Sequence, residues 1–442
     1  MNALDRVALL ISAAEKEVGP VRVGGRVTHV SPEAVRVTGL SSAVCLGDLV
    51  LLEGRKSQRK GEIILLDEAD VLVKPFERTS DIGIGARAYR MGGLAIHPDC
   101  SWRGRVVNAL GQPIDTNGAL PGGPAAWLLD QDPPNPMGRA RVASPVRTGV
   151  RVIDLFTPLC VGQRLGVFAG SGVGKSTLLG MLAGFGEFDT VVVGLVGERG
   201  REVREFIDDV LGSALKRSVV VAATGDESAM MRRLAPKTAM SVAEYFRAQG
   251  QSVLLIVDSA TRFAHAARDV AMAAGEPPVA RGYTPSVFSD LAKLLERAGP
   301  GEDGTGTITA IVSVLVDGDD HNDPVADTLR GQLDGHIILD RTIAEAGRFP
   351  PVDVLKSTSR LADKAWTREQ RELILRLRGL ISQFEETRDL RLLGGYQTGA
   401  NPALDKACDL VPKIYEALRQ LPDEREETDP FSELAAALSA AG

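Results

Sequence analysis

The 442-residue chain predicts an α/β fold: a parallel sheet covered by helices, with a small β-rich region before it and a helical region after it. Three observations carry this. Between about residues 146 and 361, near-continuous apolar runs alternate with helical segments, as in strands buried on both faces. A glycine-rich turn lies where one of those runs gives way to a helix. Short β-prone runs, punctuated by glycine, fill residues 20–74.

In chain order, Leu4, Val7, Ala8, Ile11 and Ala14 share one face at helical spacing, which predicts a helix within 1–19. Such a helix either packs on its own domain or docks on a partner. Runs at 21–23, 34–38, 48–52, 63–66 and 71–73, broken by Gly24-Gly25, Gly39 and Gly54, predict a small barrel or sandwich over 20–90. The basic run from Arg55 to Lys60 reads as a solvated hairpin within it. A stretch rich in Gly and Pro, 91–145, reads as the connection into the next domain. The core domain, 146–365, has candidate strands at 165–168, 191–196, 219–223, 253–257, 308–315 and 337–339. Thr367 and Gln370 form a capping box that opens a helical C-terminal domain, 366–442, with a break at Gly394-Gly395.

Composition excludes several roles. A net charge of −7 argues against polyanion binding as the main task. No Phe, Trp or Tyr precedes Phe76, so the first domain lacks the aromatic platforms of a single-strand-binding barrel, and no nucleic-acid partner is expected. The four cysteines, Cys45, Cys100, Cys160 and Cys408, form no metal spacing and read as reduced, mostly buried thiols. No apolar run approaches the ~20 residues that span a bilayer, and the N-terminus does not read as a signal peptide. The expected location is cytoplasmic, or peripheral at the inner face of a membrane.

The glycine-rich turn carries the chemistry. Gly170, Ser171, Gly172, Val173, Gly174, Lys175, Ser176 and Thr177 follow an apolar strand and open a helix, which is where a phosphate-binding loop belongs. Glycines let successive N–H groups face phosphate oxygens, and the helix N-terminus adds its positive end. Lys175 suits the β- and γ-phosphates, and the Ser176 hydroxyl suits Mg²⁺. The strict motif has glycine where Ala169 stands, but alanine still offers its N–H. ATP and Mg²⁺ are the expected cofactors. Asp258 ends the apolar strand 253–257, and an acid at the end of a neighbouring strand is placed for the metal shell. Glu198 ends the strand 191–197 and is a candidate to polarise the attacking water, the alternative being a surface carboxylate paired with an arginine.

Gly197-Glu198-Arg199, the segment from Val257 to Phe263, Pro285 to Phe288 and Leu294 to Gly299 resemble the type III secretion ATPases, homologues of the rotary ATP synthase catalytic subunit. Gly104 to Asp115 and Thr148 to Asp154 resemble the same family, and among its members the flagellar export ATPases are most similar, the injectisome ATPases next. The resemblance implies an N-terminal β-barrel, a RecA-like P-loop core and a helical C-terminal domain. It implies that Glu198 activates water, with Arg199 and Arg262 near it and the γ-phosphate. Phe349 would stack on adenine, with Tyr396 closing the other side, and Arg360 would act as an arginine finger in a neighbouring subunit's site. A homohexamer follows. The implied partners are a regulator or stator protein, a stalk protein, export substrates and their chaperones, and peripherally the membrane export gate. A non-hydrolysing subunit would carry Gln at position 198, and a rotary synthase is disfavoured by Leu294 to Gly299. An RNA-translocating hexamer is disfavoured by charge and by the aromatic-free start.

Overall fold

The computed structural model describes residues 22–77, 79–142, 144–302, 304–316, 323–424 and 428–439. The helix expected within 1–19 lies outside the described residues. The chain divides into two compact units, Met1–Leu94 with Val270–Glu276, and Ala95–Asp269 with Pro277–Gly442.

In the first unit, β1 (Gly24–Val30), β2 (Val35–Thr38), β3 (Asp48–Glu53), β4 (Gln58–Leu66), β5 (Asp70–Pro75) and β6 (Arg87–Gly93) form a closed antiparallel barrel in the order β1-β2-β5-β4-β3-β6. Alternation fills it: Val35 and Val37 on β2, and Val71 and Val73 on β5, are fully buried every second residue. Bulges in β1, β4 and β6 bend the strands towards closure. The basic run forms the β3–β4 hairpin, where the Gly54 N–H donates to Ser57 O at 2.9 Å.

In the second unit, the two-residue strands β7 (Ala95–Ile96) and β9 (Trp127–Leu128) pair with each other, as do β10 (Pro145–Val146) and β11 (Leu159–Cys160). The main sheet runs β19 (Thr358–Ser359), β18 (Gly335–Leu339), β12 (Arg164–Ala169), β17 (Thr307–Leu315), β15 (Ser252–Asp258), β13 (Thr190–Val196), β14 (Ser218–Ala223) and β8 (Arg105–Asn108). A short β16 (Gly299–Pro300) pairs with β17 off this path. From β18 to β8 every pairing is parallel. All seven residues of β13 and all six of β14 are buried, which is why these runs lack a polar alternation.

Two expectations need correction. The stretch 91–145 is more than a connection, because β8 within it adds an edge strand to the main sheet beside β14. Its four residues lie between glycine turns at Gly104 and Gly111, too short a run to stand out by pattern. The cysteines are free, but only Cys160 is buried, while Cys45 and Cys100 are exposed.

Thr367 caps the helix Arg368–Glu386 with the reciprocal Gln370 bond. Ile374, Leu377 and Ile381 of that helix, with Ala407, Val411 and Ile414 of the helix Pro402–Ala417, join the hydrophobic cluster that holds Leu165, Val167 and Leu179. The C-terminal helices are therefore packed into the same core as the sheet. No helix among the described residues is long and apolar enough to cross a membrane.

Candidate active site

Parallel strands deliver their C-terminal ends to one edge of the sheet, and ligands bind in the crevice outside that edge. Here β12 leads into Gly170–Gly174, β15 ends in Asp258, and β13 is followed by Gly197-Glu198. Gly174 adopts φ +101°, a left-handed conformation open to glycine, and leads straight into the helix Lys175–Phe185. That helix has no side-chain N-cap, so its first N–H groups are available to an anion. At its other end the Arg217 guanidinium donates to the carbonyls of Ala183 (2.7 Å), Gly184 (3.0 Å), Gly186 (3.1 Å) and Phe188 (3.0 Å), opposing the negative end of the helix.

Four charged side chains converge on this edge. Lys175 Nζ is bonded to Asp258 Oδ1 and lies 4.0 Å from Glu198 Oε1. Arg262 Nη2 lies 3.5 Å from Glu198 Oε2, and the same guanidinium donates to Gly197 O. Gly197 permits that approach: at φ +71°, a Cβ would stand 2.9 Å from Arg262 Cδ. The Asp258 side chain is 3% exposed and that of Glu198 15%. Burial, followed by the negative charge of Asp258, raises the Glu198 carboxyl to about 7, against the pull of Lys175 and Arg262.

Asp258 is not on the strand next to the phosphate loop, as the sequence reading had it. β17 lies between β12 and β15, and it contributes a residue the sequence did not flag: buried Ser313 donates its Oγ hydrogen to Asp258 Oδ1 at 2.6 Å. Arg341, also unflagged, donates to Ser171 O at 2.9 Å. Ser176 and Thr177 are exposed in the first turn of the loop helix.

The remaining candidates lie elsewhere. Arg199 is 84% exposed and pairs with Glu202 at 3.5 Å. Phe349 is 46% exposed, and Pro351, two residues on, borders the loop, since a Cβ on Gly174 would lie 3.8 Å from its Cδ. The Tyr396 hydroxyl donates to Asp405 near the start of the helix Pro402–Ala417, whereas the Phe349 carbonyl accepts from the Gln420 N–H just past the helix end.

Arg360 sits at the opposite end of the sheet from the phosphate loop. Its N–H donates to Asp334 O, and the Asp334 N–H donates to Arg164 O, each at 2.8 Å, at the start of β12. The loop follows the last residue of β12, about 17 Å further along at 3.3 Å per residue. An arginine side chain does not bridge that distance within its own protomer.

Fold and site together define a P-loop nucleoside triphosphatase. Residues 149–359 match the family model for the ATP synthase alpha/beta family, nucleotide-binding domain, and residues 366–440 match the T3SS EscN ATPase C-terminal domain. The chain belongs to the ATP synthase alpha/beta family, in its type III export ATPase branch. It is 55% identical over 98% of its length to a flagellum-specific ATP synthase of Agrobacterium fabrum, covering 92% of that relative. With a type 3 secretion system ATPase of Xanthomonas euvesicatoria it shares 40% identity over 95% of this chain and 96% of the relative. Among solved structures, the assembled ATPase EscN from the enteropathogenic E. coli type III secretion system superposes with a TM-score of 0.87 at 38% identity, covering 95% of this chain and 100% of that one. The same ATPase in complex with its central stalk EscO gives a TM-score of 0.85 at 37% identity, with the same coverage.

Proposed function

We propose that the chain hydrolyses ATP in a homohexameric ring that energises type III export of flagellar subunits. The observation that carries the hydrolytic reading is the meeting of Lys175, Asp258, Glu198 and Arg262 at the carboxyl edge of one sheet. Lys175 would leave Asp258 for the phosphates, drawn by the larger negative charge. Glu198 would accept a proton from the attacking water, with Arg262 holding the carboxylate in place. Phe349 would stack on adenine.

The residues fit a magnesium ion. Ser176 presents a hydroxyl in the first helical turn, and Lys175 and Ser313 both donate to Oδ1 of Asp258, leaving Oδ2 to accept from a metal-bound water. Magnesium keeps several waters and takes few protein oxygens, so the site needs no cluster of carboxylates. Bound with the nucleotide, the ion would neutralise charge on the β- and γ-phosphate oxygens.

A finger supplied in trans is supported by the position of Arg360, which lies too far from its own loop to serve it. The ring would then have six equivalent head-to-tail interfaces. The flagellar client is favoured over the injectisome by identity, 55% to the Agrobacterium relative against 40% to the Xanthomonas one. A stalk partner is supported by the EscN–EscO complex. A regulator or stator protein, export substrates with chaperones and a membrane-peripheral station complete the reading.

Glu198→Gln tests the mechanism. The variant is expected to retain ATP in an equilibrium titration and to lose at least ~100-fold in turnover, the low end of what a positioned base contributes. Wild-type-like turnover would remove Glu198 from the chemistry. Recovery of flagellar components with the tagged chain from cells would test the client.

A further inference from the structure

The turn after the helix Pro402–Ala417 is built around Gln420, a polar residue only 3% exposed. Its side-chain amide is fully engaged with backbone. Nε2 donates to Gly149 O at 2.7 Å and to Glu424 O at 2.8 Å, and Oε1 accepts from the Arg151 N–H at 2.9 Å. Its own backbone N–H donates to Phe349 O at 3.0 Å. One residue thus joins the first helix of the ATPase core, the C-terminal helical region and the segment that carries Phe349.

Both anchors are themselves held. Asp154 accepts from Thr148 N at 2.9 Å, Thr148 Oγ1 at 2.7 Å and Gly149 N at 3.1 Å, which fixes the carbonyl that receives Gln420. The Arg151 guanidinium donates to Ala417 O at 2.7 Å and Arg419 O at 3.1 Å, closing the same turn from the other side. Phe349, by contrast, leaves nearly half its surface exposed. The ring therefore depends on its backbone for position, and part of that backbone is fixed by Gln420. This buried amide costs free energy to disturb, because losing its bond to Gly149 strands a buried carbonyl.

We infer that Gln420 is a positioning residue for the nucleotide base: it clamps the Phe349 carbonyl to the start of the ATPase core and so sets the plane on which adenine stacks. This rests on the reading of Phe349 as the adenine platform. Gln420 does not touch the base, since its amide is already spent on Gly149, Glu424 and Arg151. It acts through Phe349 alone.

The test separates base from phosphate. The full chain is titrated with ADP and, separately, with inorganic pyrophosphate, in wild type, Gln420→Met, Phe349→Ala and the double variant. Gln420→Met keeps the length and loses every side-chain hydrogen bond. It is expected to raise the Kd for ADP about five- to tenfold, the worth of about one net hydrogen bond, with the Kd for pyrophosphate unchanged. The double variant is expected to be no weaker for ADP than Phe349→Ala, because the two changes act on one contact. Gln420→Glu, which keeps the acceptor for Arg151 and loses the donor to Gly149, provides the same readout if the methionine variant does not fold. Equal weakening of ADP and pyrophosphate would make Gln420 a general structural residue and overturn the inference. If Phe349→Ala weakens ADP and neither Gln420 variant does, the positioning role alone falls. If Phe349→Ala leaves ADP binding intact, the platform reading falls and takes the inference with it.

Discussion

At Glu198, burial and the nearby negative charge of Asp258 favour the protonated carboxyl up to about pH 7, while Lys175 and Arg262 favour the ionised form. A protonated carboxyl cannot accept a proton from water. The raised value therefore predicts that kcat/KM, which reports groups of the free enzyme, climbs as pH rises through about 7 and is about tenfold below its plateau at pH 6. A flat profile from pH 6 to 8 would take Glu198 out of the role of base. Asp258 and Glu198 were legible in the sequence because each stands at the end of an apolar strand, and Lys175 because it closes the glycine-rich loop after one. Ser313 was not. A serine inside a buried strand looks like any small core residue, and its role comes from register: it lies beside Val167 on β12 and one strand away from Asp258. The partner of Tyr396 was not legible either, because its bond to Asp405 follows from how the chain turns into the helix Pro402–Ala417.

Among the elements, the segment Leu294 to Gly299 shows how a family signature can be structural. Arg297 is 2% exposed, in the helix Pro285–Arg297, and its guanidinium is wholly engaged with Glu244 (2.7 and 3.0 Å), Ser241 Oγ (3.0 Å) and Leu129 O (2.7 Å). Its carbonyl accepts from Arg247 at 2.8 Å. Removing one member of such a pair strands a buried charge, so Arg297→Leu is expected to lower unfolding stability by about 3–5 kcal/mol. Adding Glu244→Leu should recover part of that loss, because no carboxylate is then left facing the gap, while Arg247, 3.8 Å from Glu244, loses its own counter-charge. Urea unfolding of both variants checks this, and a double variant no better than the single would mean the pair is not the source of the cost. The apolar strands and the capping box were readable from periodicity and from Thr367-Gln370. The edge strand β8 was too short to read, and the position of β17 between β12 and β15 is a property of topology.

For the molecule as a whole, the distance between Arg360 and its own phosphate loop makes a prediction about mixtures. Arg360→Ala and Lys175→Ala should each be inactive alone, the first by about 10³-fold or more, as for an arginine finger. Mixed in equal amounts and assembled, about one quarter of the interfaces in a random cyclic ring would pair an intact loop with an intact finger. Turnover should return to a corresponding fraction of wild type. No recovery in rings shown to be mixed would rule out completion by a neighbour. The three-part order of barrel, sheet and helices was legible from changes in periodicity along the chain. Which end of the sheet holds Arg360 was not, since it follows from β19 pairing back along β18. With Arg360 as a finger for a neighbour, that pairing would have a cellular consequence. A freshly synthesised subunit would carry all the parts for burning fuel but keep two of them at opposite poles, and chains still diffusing towards the machine would be kept from squandering nucleotide before there is any cargo to move.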